Sequence, residues 1–260
     1  MQLTAVFEEN RGHLTAVARR ILGSVHDAED AVQQSWLKAA GADLGSIDNV
    51  PGWLTTLVAR VCLDMLRQRR FHVPLDESIS WDDRRDDVAG DVASALPLLM
   101  DLLSPGQRVA FVLHDVFGFP FADIAAAIGT TPAAAKQLAS RARRAVRGAP
   151  AGPADRALAE AFLAASRDGD IPGLLQVLAP GVVRRVDTIL VPSGVRTEVR
   201  GAGEVAEETR SFTERARAGA VVEFDGAPVI VLTAEGRVRI RIRLTFGVGG
   251  ITGIDIRAVR

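Results

Sequence analysis

Along TTPAAAKQLASRARR, residues 130–144, the polar side chains Lys136, Gln137, Ser140, Arg141 and Arg144 recur at helical spacing. That spacing sets them on one face of a helix. Cationic, amide and hydroxyl groups on such a face can hold phosphates and reach base edges in a major groove. Thr131 can cap the helix, and Pro132 suits its first position. A second basic cluster, Arg67, Arg69, Arg70 and His72, ends another helical stretch, and the acidic DESISWDDRRDD follows it. Two basic patches with an acidic connector suit a protein that grips DNA at two places. Taken alone, one basic helix is also what a solvated helical hairpin displays.

Several elements must position these groups. In FADIAAAIGTTPAAAKQLASRARR, Ala125 is the small helix contact and Gly129 supplies a turn, with Ile124, Ile128 and Leu138 as shared core: a helix-turn-helix. Upstream, FEENRGHLTAVARRILG places Phe7, Leu14, Val17 and Ile21 at helical spacing, and Gly23 ends it. DAEDAVQQSWLKAA makes a second helix. After the loop GADLGSIDNVPG, Pro51 stands near the start of WLTTLVARVCLDMLRQRR. The polar stretch 73–91 carries no convincing regular element and reads as a linker. GAPAGPA marks a joint.

Beyond the joint the pattern changes. ADRALAEAFLAASRDG is an amphipathic helix, and DIPGLLQVLAP a short one capped by Asp170. Val238, Ile240, Ile242, Leu244 and Phe246 alternate with Arg237, Arg239, Arg241, Arg243 and Thr245, the period of a half-buried strand. One helix over GEVAEETRSFTERARAG interrupts the strands. Helices followed by a mostly antiparallel sheet indicate an α+β domain.

The 260 residues carry 31 Lys and Arg against 32 Asp and Glu, so charge distribution rather than net charge points to nucleic acid. A single cysteine, Cys62, excludes an internal disulfide and suits a reducing, cytoplasmic setting. The N-terminus lacks a signal-peptide layout, and no apolar run is long enough to span a bilayer, so no membrane partner is expected. The four histidines share no ligand spacing with Cys62, and no phosphate-binding glycine loop follows a strand. No metal or cofactor is expected. Asp187 and Glu223 are the carboxylates that could do chemistry in the last domain, which has neither histidine nor tyrosine. Without an acid–base set, a structural or regulatory domain is expected there, not an enzyme.

Three ordered segments resemble the extracytoplasmic-function sigma factors of bacterial RNA polymerase: GSVHDAEDAVQQSWLKA, PGWLTTLVARVCLDMLRQRR and LSPGQRVAFVLHDVFGFPFADIAAAIGTTPAAAKQLASRARRAV. The resemblance implies that Asp27, Asp30, Gln33, Gln34 and Trp36 dock on the β′ clamp helices of core polymerase, with the β subunit also contacted. It implies that Asp48, Asn49 and Trp53 belong to a base-capturing loop at the minus-ten element. Arg60, Arg67, Arg69 and Arg70 would hold phosphates there. Thr131, Pro132, Lys136, Gln137, Ser140, Arg141 and Arg144 would read the minus-thirty-five element. The acidic linker would thread through polymerase.

The last part resembles a SnoaL-like domain, cone-shaped with a curved sheet, as one subgroup of these factors carries. That implies control of the sigma core by the fused domain. Its apolar pocket is a candidate site for a small apolar ligand by analogy of fold. Where the subgroup carries an Asp followed by a glycine-rich, Lys-ended motif, VDTILVPSG here offers Asp187 for the Asp but lacks the Gly-Gly-Gly-Lys portion, and the Trp-Leu-Pro segment is replaced by FHVPLDES. Contacts assigned to those motifs do not carry over. The expected architecture is multidomain: an all-α domain at 1–72, the linker 73–91, an all-α helix-turn-helix domain at 92–147, a joint at 148–153, and the α+β domain at 154–260. The expected function is a sigma factor directing promoter-specific initiation. The alternative is a ligand-sensing helix-turn-helix regulator that does not bind core polymerase. The docking helix and the second basic helix argue against it.

Overall fold

The computed structural model describes residues 3–42, 47–69, 81, 92–147, 152–191 and 194–259. Arg70, His72, most of the linker and most of the joint lie outside them. Arg69 is described in its backbone alone. The chain divides into two compact units, residues 1–72 with 103–144, and residues 73–102 with 145–260.

The first unit opens with α1 (Leu3–Leu22), α2 (Val25–Ala39) and α3 (Val50–Arg69), which pack on one another. Phe7, Leu14, Ile21, Leu54 and Leu63 are buried between them, with Cys62 as a small core side chain. Ser24 caps α2 through a bond from the Asp27 amide, which fixes where the helix begins. A second set follows: α5 (Pro105–Phe111) running into a π-helical turn (Val112–Val116), then α6 (Phe121–Ile128) and most of α7 (Pro132–Arg147). Ser104 and Gln107 form a reciprocal capping box at the start of α5. Both sets share one compact unit. α3 packs against α5 and α6, and the buried Arg108 donates to the Ile21 carbonyl at the end of α1.

The second unit is built on six strands: β1 (Leu178–Val186), β2 (Glu198–Arg200), β3 (Gly219–Phe224), β4 (Ala227–Ala234), β5 (Arg237–Gly247) and β6 (Gly250–Ala258). Their order is β2-β1-β6-β5-β4-β3, antiparallel throughout except for the parallel β1–β6 pair. Asp225-Gly226 and Glu235-Gly236, all at positive φ, make the two tight hairpins β3–β4 and β4–β5. Helices α8 (Pro153–Asp168), α9 (Ile171–Val177), α10 (Ala202–Arg210) and α11 (Thr213–Arg217) pack with the sheet around one apolar core. This is the helix-wrapped α+β architecture that the sequence implies. Where one helix was expected over 203–219 there are two, α10 and α11, broken at Ser211 and Phe212. Strand β1 also starts at Leu178, inside the stretch read as helix.

Two pieces from before the helix-turn-helix belong to this second unit. Helix α4 (Val92–Leu102) packs on β5 and β3, with Leu98, Leu99 and Leu102 buried. The Asp101 carboxylate accepts the Val238 amide at 3.1 Å. Trp81 pairs in antiparallel fashion with Ala234, and its side chain packs against the apolar core. At the far end of α7, the Ala145 carbonyl accepts the Asp225 amide at 3.0 Å.

Candidate nucleic-acid and polymerase interface

Helix α7 separates its chemistry by face. Ala135, Ala139 and Ala142 are fully buried, a flat small-residue seam. Thr131, Pro132, Lys136, Gln137, Ser140, Arg141 and Arg144 are all exposed. The Thr131 hydroxyl accepts the Ala134 amide at 3.2 Å, capping the helix. The turn before it is set by Gly129 at φ 76°, whose amide closes α6 on the Ala125 carbonyl. Ile124 and Ala125 are buried, Ile128 nearly so, and Leu138 is half-buried. Arg143 differs from its neighbours: it leans back to the mostly buried Asp115 at 3.4 Å.

On α2, Gln33 and Gln34 are exposed, Asp27 and Asp30 half-exposed. Asp30 lies 3.7 Å from His26. Leu37 adds an apolar side chain that is 68% exposed, which the sequence reading had not singled out. Trp36 is half-buried, its ring meeting Phe7 edge-on at 5.0 Å between centroids. The indole is thus partly committed to the α1–α2 core.

At the head of α3, Asp48 and Asn49 are exposed and Trp53 is half-buried. Asn49 also caps the helix: its side-chain oxygen accepts the Gly52 amide at 3.0 Å and its carbonyl the Trp53 amide at 2.9 Å. A side chain at position 52 would come within 2.6 Å of the Asn49 amide nitrogen, so glycine keeps this cap in place. Farther along, Arg67 is exposed beside Asp64 at 4.0 Å. Arg60 is exposed yet donates to the Ala126 carbonyl at 2.6 Å, near the C-terminal end of α6. That end carries partial negative charge. The structure therefore brings the α3 arginine against the helix-turn-helix, a pairing across 66 residues that spacing could not disclose.

In the second unit, Glu223 is held by Arg156 at 3.3 Å, and Asp187 opens a short 3-10 turn. Neither lines the cavity of that unit. Sequence reasoning passed over the groups that do, Arg184, Glu208 and Arg215. Arg184 had a signal: in VVRRV it shares the inward period of Val182 and Val186.

Residues 6–72 match the model of sigma-70 region 2, and residues 93–146 that of sigma-70 region 4. The chain is 38% identical over 229 residues to the ECF RNA polymerase sigma factor SigJ of Mycobacterium tuberculosis, covering 80% of this chain and 72% of that one. It is 36% identical over 202 residues to a probable ECF RNA polymerase sigma factor, SigI, of the same organism, covering 71% and 70%. Among solved structures it is similar to the crystal structure of M. tuberculosis SigJ, at 29% identity over 98% of this chain and 96% of that one, with a TM-score of 0.41. The chain belongs to the extracytoplasmic-function sigma factors. It is an RNA polymerase sigma factor of a family whose members bind core polymerase and promoter DNA and initiate transcription without catalysing a reaction of their own. Among the described residues, no helix is long and apolar enough to cross a membrane.

Proposed function

We propose that the exposed face of α7 reads the minus-thirty-five element of the promoter. The observation that carries this reading is the division of α7 into a buried alanine seam and an exposed row of Lys136, Gln137, Ser140, Arg141 and Arg144. A close alanine contact lets the helix stand rigidly on its support while its polar side chains reach into a groove. Thr131 and Pro132 open the helix, whose positive end favours a phosphate. In the same reading, Asp48, Asn49 and Trp53 take the minus-ten strand, with Arg60 and Arg67 on its phosphates. Arg69 and Arg70 extend that set. Arg60 must then exchange the Ala126 carbonyl for a phosphate.

Helix α2 is assigned to the β′ clamp helices through Asp27, Asp30, Gln33 and Gln34, with Trp36 as half-buried anchor and Leu37 beside it. The second unit modulates this activity, because it holds α4, Trp81 and the end of α7 and so constrains segments that adjoin the DNA readers. Two variants separate the roles. Gln33→Ala with Gln34→Ala is expected to lose core polymerase binding in a pull-down. Arg141→Ala with Arg144→Ala is expected to keep core binding and lose promoter-specific transcripts. Equal core binding by both variants and wild type would overturn the α2 assignment; undiminished transcription by the α7 variant would overturn the other.

A further inference from the structure

One face of the sheet in the second unit is lined by aliphatic side chains. Residues 186, 256, 242 and 230 stand side by side on β1, β6, β5 and β4, as their pairing registers require. They are Val186, Ile256, Ile242 and Ile230, an aliphatic row across four strands. With α8, α10 and α11 above it, this row encloses a cavity of about 80 Å³. A single water needs about 10–15 Å³ by the same kind of measure, so there is room for a small organic molecule. Aliphatic walls give ordered water few partners, which favours an apolar occupant.

Three ionisable groups line the cavity: Arg184, Glu208 and Arg215. Arg184 is 8% exposed and paired with Glu208. Arg215 has no carboxylate partner among the described residues. Its guanidinium lies near two rings, 5.5 Å from the centroid of Phe212 and 5.9 Å from that of Trp81. The lining thus carries two guanidiniums against one carboxylate, a net single positive charge. A guanidinium stacked on rings keeps its hydrogen-bonding edge available for a planar carboxylate.

We infer that this cavity is a binding site for a small apolar monoanion, an aliphatic or aryl carboxylate. Its tail lies on the aliphatic row and its carboxylate on Arg215. Because Arg215 also faces Trp81, the residue that joins the linker to β4, occupancy changes the surroundings of that indole. Binding at this cavity is read without polymerase or DNA, and so independently of the residue roles assigned to α2, α3 and α7.

Hexanoate, octanoate and phenylacetate are the probes, with 1-octanol and 2-phenylethanol as neutral counterparts. Calorimetric titration of the full chain is expected to show one saturable site for at least one carboxylate, with its neutral counterpart bound more weakly. Arg215→Gln, on a half-exposed helix, is expected to weaken carboxylate binding about tenfold and leave the alcohol unaffected. Ile242→Phe, which fills the cavity, is expected to weaken both. The carboxylate should also change tryptophan emission in the wild type and not in Trp81→Phe. No saturable binding of any of the three acids, or wild-type affinity in both Arg215→Gln and Ile242→Phe, would overturn the site. An emission change that persists in Trp81→Phe would overturn the link to the linker.

Discussion

Arg141, Arg143 and Arg144 are near neighbours on α7, yet their surroundings divide their work. Among the described residues Arg141 and Arg144 meet no carboxylate, whereas Arg143 is held by Asp115, whose side chain is 10% exposed. Removing Arg143 leaves a mostly buried carboxylate without its partner, which costs about 1–2 kcal/mol after allowance for the arginine's own exposure. Arg143→Ala is therefore expected to lower the denaturation midpoint. Arg141→Ala and Arg144→Ala should leave the midpoint nearly unchanged. Each should instead reduce the slope of log affinity against log salt by about one in promoter-fragment binding by the holoenzyme. An unchanged slope in both would mean that these arginines touch no phosphate. On the sheet, burial holds the Arg241 guanidinium below its ordinary value, with Arg243 and Arg257 adding to this and Asp255 opposing it. A lowered arginine pKa means that the charged form is disfavoured by folding. Arg241→Gln, which removes the charge that burial disfavours, is thus expected to raise the melting temperature.

At the scale of elements, glycine positions carry different penalties for separable reasons. Gly129 sits at φ 76° with nothing near where a Cβ would project, so Gly129→Ala bears only the left-handed backbone penalty of about 1–2 kcal/mol. Gly250 sits at φ 113°, and a Cβ there would collide with the Val177 carbonyl oxygen. Gly250→Ala is expected to destabilise clearly more than Gly129→Ala, which parallel urea titrations of the two variants check. The helix-turn-helix was legible because its signals are local: a turn glycine, a cap, a proline and a helical period all fall within two dozen residues. The β5 alternation was legible for the same reason. The break between α10 and α11 was not, since RSFTER carries neither glycine nor proline to mark it.

For the molecule as a whole, the decisive relations are non-local and were hidden. Trp81 on Ala234, Asp101 on Val238 and Arg60 on Ala126 each join residues far apart in sequence through hydrogen bonds that leave no periodic trace. The candidate site residues are legible as motifs, whereas Arg60's engagement with α6 and the partial burial of Trp36 arise only in the folded chain. One consequence is measurable by hydrogen exchange. A chain ending at Arg147 lacks the sheet that covers Leu98, Leu99 and Leu102, so the amides of α4 are expected to lose protection. Retained protection would show that α4 is stable without β5 and β3.

The most direct test of the central claim is transcription by core RNA polymerase supplied with this protein on a library of promoter templates. Transcripts starting at a defined subset of promoters, absent with core enzyme alone and abolished by Arg141→Ala with Arg144→Ala, are the expected result. Failure to bind core polymerase and to yield any promoter-specific transcript, with an active control sigma factor in the same assay, would contradict it.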